Sequence, residues 1–221
     1  MLLAAPVLVA QTPLPVYREP RHRLVLEDGP VRVLDVQIAP GDTTLFHIHD
    51  TPFLAVRIAV SPIDAQILGA DWGGIGPKDH SHFYPGAIDS DTSYALQPVT
   101  HRVANLGTTA FHLIGITNAG PGASPDPGVS SDLPGTVEHN SRWFQASRLA
   151  VPPGIESPWL SASAPLVVVQ PGEGRVQVER DPGTPTLLEG PAAWAYLPTG
   201  ARYRVINAGA FSATLVFVAV R

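Results

Sequence analysis

His47 and His49 stand two residues apart in the stretch Pro40-Gly41-Asp42-Thr43-Thr44-Leu45-Phe46-His47-Ile48-His49. In an extended strand, side chains two apart share a face, so both imidazoles aim at one interior and can bind one metal ion. His101, in His101-Arg102-Val103-Ala104-Asn105, lies on a second expected strand and offers a third nitrogen. Three neutral imidazoles suit a divalent ion such as Fe, Zn, Mn, Ni or Cu, and the affinity order among such ions does not choose between them.

These histidines need strands to position them. With 24 Pro and 20 Gly in 221 residues, long helices are disfavoured and short strands joined by turns are expected. Val31 to Ile38, Pro52 to Val60, Ser93 to Gln97, His101 to Asn105 and Ala110 to Ile116 read as strands of a first half. Phe144 to Val151, Leu166 to Gln170, Arg175 to Glu179, Ala192 to Leu197, Tyr203 to Asn207 and Ser212 to Val220 read as strands of a second. Val16 to Pro20 reads as an extended edge segment, and a weaker strand is expected around 65–68.

Gly-x5-His-x-His at Gly41, His47 and His49, followed by His-x3-Asn at His101 and Asn105, resembles the two-part signature of the cupin superfamily. The resemblance implies an all-β fold of double-stranded β-helix (jelly-roll) barrels and a mononuclear metal site on His47, His49 and His101. It also implies a Glu after three or four intervening residues beyond the second histidine, where this chain has Phe53 and Leu54. Three-histidine sites occur among cupin-like dioxygenases, so the resemblance keeps oxygen chemistry open. A zinc ion that activates water fits the same ligand set.

An internal repeat makes this a bicupin pattern. His101-Arg-Val-Ala-Asn105-Leu-Gly matches Tyr203-Arg-Val-Ile-Asn207-Ala-Gly, Pro40-Gly41 matches Pro153-Gly154, and Pro52 matches Pro165. In the second copy Leu160, Ala162 and Tyr203 stand at the three histidine positions. The second barrel is therefore expected to be degenerate and structural, and the first metal-competent. The chain from Gly41 to Asn105 is longer than the matching chain from Gly154 to Asn207. The extra residues are placed most simply in the loop that holds Asp79, His80 and His82. The expected division is a signal peptide or mis-called start at 1–13, an N-terminal barrel at 14–118, a Pro/Gly/Ser-rich linker at 119–140 and a C-terminal barrel at 141–221.

Among other chemistry-bearing residues, Asp79, His80 and His82 could close over the barrel mouth. His82 or Tyr84 could serve as a base beside a metal, and Arg57 could face the cavity and bind a carboxylate. The facing of Arg57 is open, because Leu54, Val56, Ile58 and Val60 also make an inward set. Asp50 should point away from the histidines, and Asp42 should serve its turn. Trp72, Phe83 and Tyr84 could line a pocket or cap a core end. His22, His112 and His139 match no motif.

Composition excludes some classes. The net charge of −5 and the lack of a basic face disfavour a nucleic-acid partner. The absence of cysteine removes disulfides and thiol chemistry. Leu2 to Ala10 is wholly apolar but shorter than the roughly 20 residues of a membrane span. With Leu8-Val9-Ala10 as a cleavage site it resembles the end of a secretory signal, and points to a periplasmic or secreted protein, otherwise a cytoplasmic one. The function expected is binding of, or action on, a small anionic molecule, as a dioxygenase-like oxidoreductase if it is an enzyme. The alternatives are a non-catalytic binding protein and a zinc-dependent isomerase or hydrolase. Homo-oligomer formation is left open.

Overall fold

The computed structural model describes residues 11–73, 83–123 and 133–221. The N-terminal barrel contains β1 (Leu14–Pro15), β2 (His22–Asp28), β3 (Val31–Ile38), β4 (His47–His49), β5 (Phe53–Ala59), β6 (Ile63–Ile67), β7 (Ile88–Asp91), β8 (Val99–Asn105) and β9 (Phe111–Asn118). They form two sheets, ordered β1-β4-β8-β6 and β2-β3-β9-β5-β7. The C-terminal barrel contains β10 (Thr136–Asn140), β11 (Phe144–Val151), β12 (Leu160–Ser161), β13 (Leu166–Gln170), β14 (Arg175–Asp181), β15 (Thr186–Glu189), β16 (Ala193–Leu197), β17 (Arg202–Asn207) and β18 (Ala213–Val220). Its sheets are ordered β10-β11-β18-β13-β16 and β12-β17-β14-β15. Among the described residues, no sheet mixes strands of the two barrels.

The repeat holds in register. His47 pairs with His101 across β4 and β8, and Leu160 pairs with Tyr203 across β12 and β17. Gly41 and Gly154 have φ of 74° and 72°, a conformation glycine adopts without steric cost. Each donates its N–H, at 3.0 Å, to the carbonyl of Asn105 or Asn207. The Asn105 amide donates to the Ile38 and Thr109 carbonyls and accepts from Gly107 N–H. The Asn207 amide does the same with Val151, Phe211 and Gly209. The asparagines lock equivalent barrel corners, which is why one is present even in the copy that has no histidine trio.

The two five-stranded sheets pack face to face. Val31, Val33, Leu54, Val56, Ile58, Ile114 and Ile116 meet Phe144, Ala146, Val167, Val169, Val216, Val218 and Val220 in one buried cluster. Within the N-terminal barrel a second cluster gathers Leu34, Val36, Ile38, Ala55, Phe111 and Leu113. Alternation along β5 therefore sends Leu54, Val56 and Ile58 to the other barrel and Phe53, Ala55 and Arg57 inward. In the C-terminal barrel, the space corresponding to the histidine cluster belongs to a packed apolar core that includes Leu166, Val205, Phe217 and Tyr203, the last 1% exposed.

Four expectations change. Val16–Arg18 is a 3-10 turn with Val16 buried, not an extended edge; parallel pairing to β4 is made by Leu14 and Pro15 just before it. Ser93–Ala95 is also a 3-10 turn, because β7, paired with β5, ends at Asp91. Thr136–Asn140, expected within the linker, pairs with β11, held by Glu138 accepting from Arg148 at 2.6 and 2.8 Å. The extra residues of the first copy do not all lie in one loop. The chain from Phe53 to its partner Asp91 is longer than that from the equivalent Leu166 to its partner Leu197. The chain from Asp91 to Asn105 is also longer than that from Leu197 to Asn207. The larger share of the insertion thus falls before β7 and a smaller share after it, in the stretch that contains the second 3-10 turn.

Candidate metal centre

His47 and His49 project from β4 and His101 from β8, all into the N-terminal barrel. One ligand atom from each lies within 4.8 Å of the others, and all three residues are buried. Ring centroids are 5.2 Å apart for His47–His49, 4.6 Å for His47–His101 and 4.9 Å for His49–His101. Buried ring nitrogens of all three have no hydrogen-bond partner: Nε2 of His47, Nδ1 of His49 and Nδ1 of His101. Buried polar atoms are almost always satisfied, so three such atoms in one cluster fit a cation.

His47 offers the best-defined candidate ligand atom. Its Nδ1–H donates to the Leu45 carbonyl at 2.9 Å, which leaves the lone pair on Nε2. All three imidazoles are held neutral, as metal ligands must be. Burial, reinforced by His22 and His101, pushes the His47 pKa down to about 2. Burial and then His22 push His101 down to about 4, and burial followed by His101, His47 and His22 lowers His49 well below its usual range.

Phe53 occupies the place where the cupin resemblance implies a carboxylate, and it faces the cluster. Its ring lies edge-on to His49 at 5.2 Å between centroids. It rests across Gly115, where an added Cβ would come within 2.7 Å of its Cζ. The sequence therefore couples an aromatic on β5 to a residue without a side chain on β9.

Three neighbours of the cluster carry no motif. The His22 ring packs 4.5 Å from His47, and its Nδ1 is 2.7 Å from buried Glu19. Tyr94, in the second 3-10 turn, lies 4.8 Å from His49. Burial, with the Asp91 carboxylate adding to it, raises its phenol to about 12, so it is a hydrogen-bond donor at neutral pH rather than a base. Glu19 and His22 sit outside both signature segments and Tyr94 in the extra stretch, so spacing could not find them.

The other expected residues are placed as follows. Arg57 faces inward and is 8% exposed. Its Nε donates to Asp89 at 2.7 Å, its guanidinium lies 4.1 Å over Phe83, and its buried Nη1 has no hydrogen-bond partner. Tyr84 is 51% exposed and stands near Arg148 of the other barrel, which places it away from the cluster rather than beside it as a base. Asp79, His80 and His82 lie outside the described residues. Asp50 is exposed, and Asp42 caps its turn by accepting from Thr43 N–H at 2.8 Å. Trp72 is 40% exposed and carries the Arg102 guanidinium at 4.9 Å, so neither Trp72 nor Tyr84 is part of a buried lining. His112 pairs with Asp35 and His139 with Ser141, away from the cluster.

Two barrels of this topology, one with an inward trio of histidines and one filled by apolar side chains and a tyrosine, define a bicupin-like cupin fold. Solved structures agree. AerE from Microcystis aeruginosa superposes with a TM-score of 0.64 at 13% identity over 96% of this chain and 98% of its own. Salicylate 1,2-dioxygenase from Pseudaminobacter salicylatoxidans gives 0.59 at 10% identity, over 86% of this chain and 71% of its own. The cupin 2 conserved barrel domain protein from Leptotrichia buccalis gives 0.52 at 12% identity, over 90% and 87%. At these identities the likeness establishes the fold. No protein-family model matches the sequence, and no curated protein matches it. Among the described residues no helix is long and apolar enough to cross a membrane.

Proposed function

We propose that this protein is a mononuclear metal-binding bicupin whose N-terminal barrel, with His47, His49 and His101 as ligands, binds or acts on a small anionic molecule. Where it acts, the reading is a dioxygenase-like oxidoreductase. The observation that carries the proposal is the His47 Nε2 lone pair, fixed by the Nδ1–H bond to Leu45, buried without a partner among two more neutral imidazoles. A divalent ion held there would supply Lewis-acid or oxygen-activating chemistry and an electrostatic anchor for an anion. The chain's own residues do the rest. Tyr94 packs its ring against His49 and keeps its phenol protonated, with Asp91 as its hydrogen-bond partner. Phe53 and the apolar barrel interior limit water. The substrate class is supported by one fold neighbour, salicylate 1,2-dioxygenase, which has also been solved as adducts with gentisate.

The binding-protein reading has its own support. Phe53 stands where the cupin resemblance implies a carboxylate ligand, and Tyr94 beside the cluster is held protonated and does not act as a base. The test has two stages. Elemental analysis of protein purified without chelator or metal-affinity tag should show about one divalent ion per chain. The ion should be lost in His47→Ala and His101→Ala and kept in Tyr203→Phe. Two ions per chain, or full occupancy in His47→Ala, would sink the assignment. Protein loaded anaerobically with Fe(II) is then screened for oxygen uptake with small aromatic acids and diketones. Turnover supports the oxidoreductase, and ligand binding without uptake supports the binder.

A further inference from the structure

Glu19 is a buried carboxylate for which the three-histidine site, taken alone, has no task. It follows the first 3-10 turn, and its side chain has 0% exposure. One oxygen, Oε1, accepts the Leu45 backbone N–H at 3.0 Å. The other, Oε2, accepts the Arg21 backbone N–H at 2.6 Å and the His22 Nδ1–H at 2.7 Å. The Leu45 carbonyl in turn accepts the His47 Nδ1–H at 2.9 Å. A single residue, Leu45, is thus gripped by Glu19 through its N–H and grips His47 through its C=O. The second route runs through His22, whose ring packs against His47. Glu19 reaches the same ligand by both.

The charges around it are unbalanced. The Arg21 guanidinium stands 3.6 Å from Glu19 Oε1, yet it is committed to Asp42, to which Nε and Nη2 donate at 2.9 and 2.8 Å. Two carboxylates therefore share one guanidinium. Asp42 is 38% exposed and Arg21 28%, so water screens that pair, whereas Glu19 lies in low dielectric, where its field extends into the barrel. The position where a carboxylate ligand is implied holds Phe53, its ring against His49 and over Gly115.

We propose that Glu19 is the positioning and charge-compensating carboxylate of the metal centre, acting on His47 through Leu45 and His22 in place of the direct carboxylate ligand that Phe53 replaces. The inference rests on the metal-centre reading above. Groups hydrogen-bonded directly to a metal ligand orient its ring, and their loss weakens metal affinity by about 10- to 100-fold; Glu19 acts one step further out, through Leu45, so its effect belongs at the low end of that range.

The test compares Zn(II) dissociation constants, by chelator competition at neutral pH and low salt, for wild type, Glu19→Gln and Arg21→Gln. Thermal melts of the metal-free proteins run alongside. Glu19→Gln removes one negative charge and should weaken Zn(II) binding by about 10-fold, the low end for partners of a metal ligand. Arg21→Gln removes the opposing positive charge and should tighten binding, even where it lowers the melting temperature. A purely structural Glu19 would not give these opposite signs. Equal affinity in Glu19→Gln and wild type overturns the proposal, as does unchanged or weakened binding in Arg21→Gln. Should Glu19→Gln fail to fold, Arg21→Gln still decides: tighter binding upholds the proposal, and unchanged or weakened binding overturns it. Wild-type protein that binds no Zn(II) overturns the metal-centre reading itself, a result distinct from either of these.

Discussion

Acidification of the metal-free protein should unfold it well before its carboxylates titrate. The imidazoles of His47, His49 and His101 have folded pKa values below their ordinary 6.5, about 2 for His47 and about 4 for His101. Between the folded and unfolded values the unfolded chain holds more protons, so stability falls as pH falls. At pH 5 an unfolded imidazole is protonated and a buried one is not. With 1.36 kcal/mol per pH unit below 6.5, His47 and His101 each cost about 2 kcal/mol, about 4 kcal/mol together, and His49, lowered by burial too, adds in the same direction. That approaches the lower end of the whole stability of a typical domain, about 5–15 kcal/mol. His139, also lowered by burial, acts in the same window and is removed as a contribution in a His139→Gln background. Glu19 and Asp35 are lowered too, against the opposing effect of their burial, by hydrogen bonds chiefly from His22 and Arg23 respectively. Their stabilisation is lost only as pH falls below about 4.5 and 3.8, a separate window. The assay is urea unfolding of chelator-treated protein from pH 8 to pH 4.5, followed by tryptophan fluorescence. The midpoint should fall steeply below pH 6.5, and saturating Zn(II) should shift that limb to lower pH by stabilising the native state. A metal-free midpoint that is flat between pH 7.5 and pH 5 would refute the claim that three neutral imidazoles are buried together.

Two further predictions follow from packing. Gly115→Ala places a Cβ within 2.7 Å of the Phe53 ring, and overpacking of that kind costs about 1–3 kcal/mol; chemical denaturation should show the loss, and Phe53→Leu in the same chain should relieve it. Asn105→Ala and Asn207→Ala each remove the same three hydrogen bonds to backbone groups, and Asn105→Ala also removes the acceptor of the Ser61 hydroxyl at 2.7 Å. At about 1 kcal/mol per bond, Asn207→Ala should lower stability by roughly 3 kcal/mol and Asn105→Ala by roughly 4 kcal/mol, and a loss at Asn207 far smaller than at Asn105 would deny the equivalence of the two corners.

Much of this was legible in one dimension. His47 and His49 at i and i+2 had to share a face of any strand, and the repeated Arg-Val-x-Asn-x-Gly stretch announced two copies of one unit. Leu160, Ala162 and Tyr203 told which copy had no imidazoles to offer. Those inferences depend on local geometry, the two-residue period of a strand and the turn chemistry of glycine and asparagine, which the chain carries wherever it folds. The facing of β5 was not legible, because both of its faces are apolar. Leu54, Val56 and Ile58 are buried against the other barrel, while Phe53, Ala55 and Arg57 look inward, and a strand buried on two sides loses the alternation that would declare its parity. The surroundings of the histidines were equally hidden. Glu19 and His22 come from a segment far before His47 in the chain and Tyr94 from one far after it, and nothing local in those segments marks them. Only the closing of the barrel brings a 3-10 turn, a buried carboxylate and a third strand around one pair of histidines, because such contacts are set by which sheets pair and pack, not by the spacing of residues along the chain.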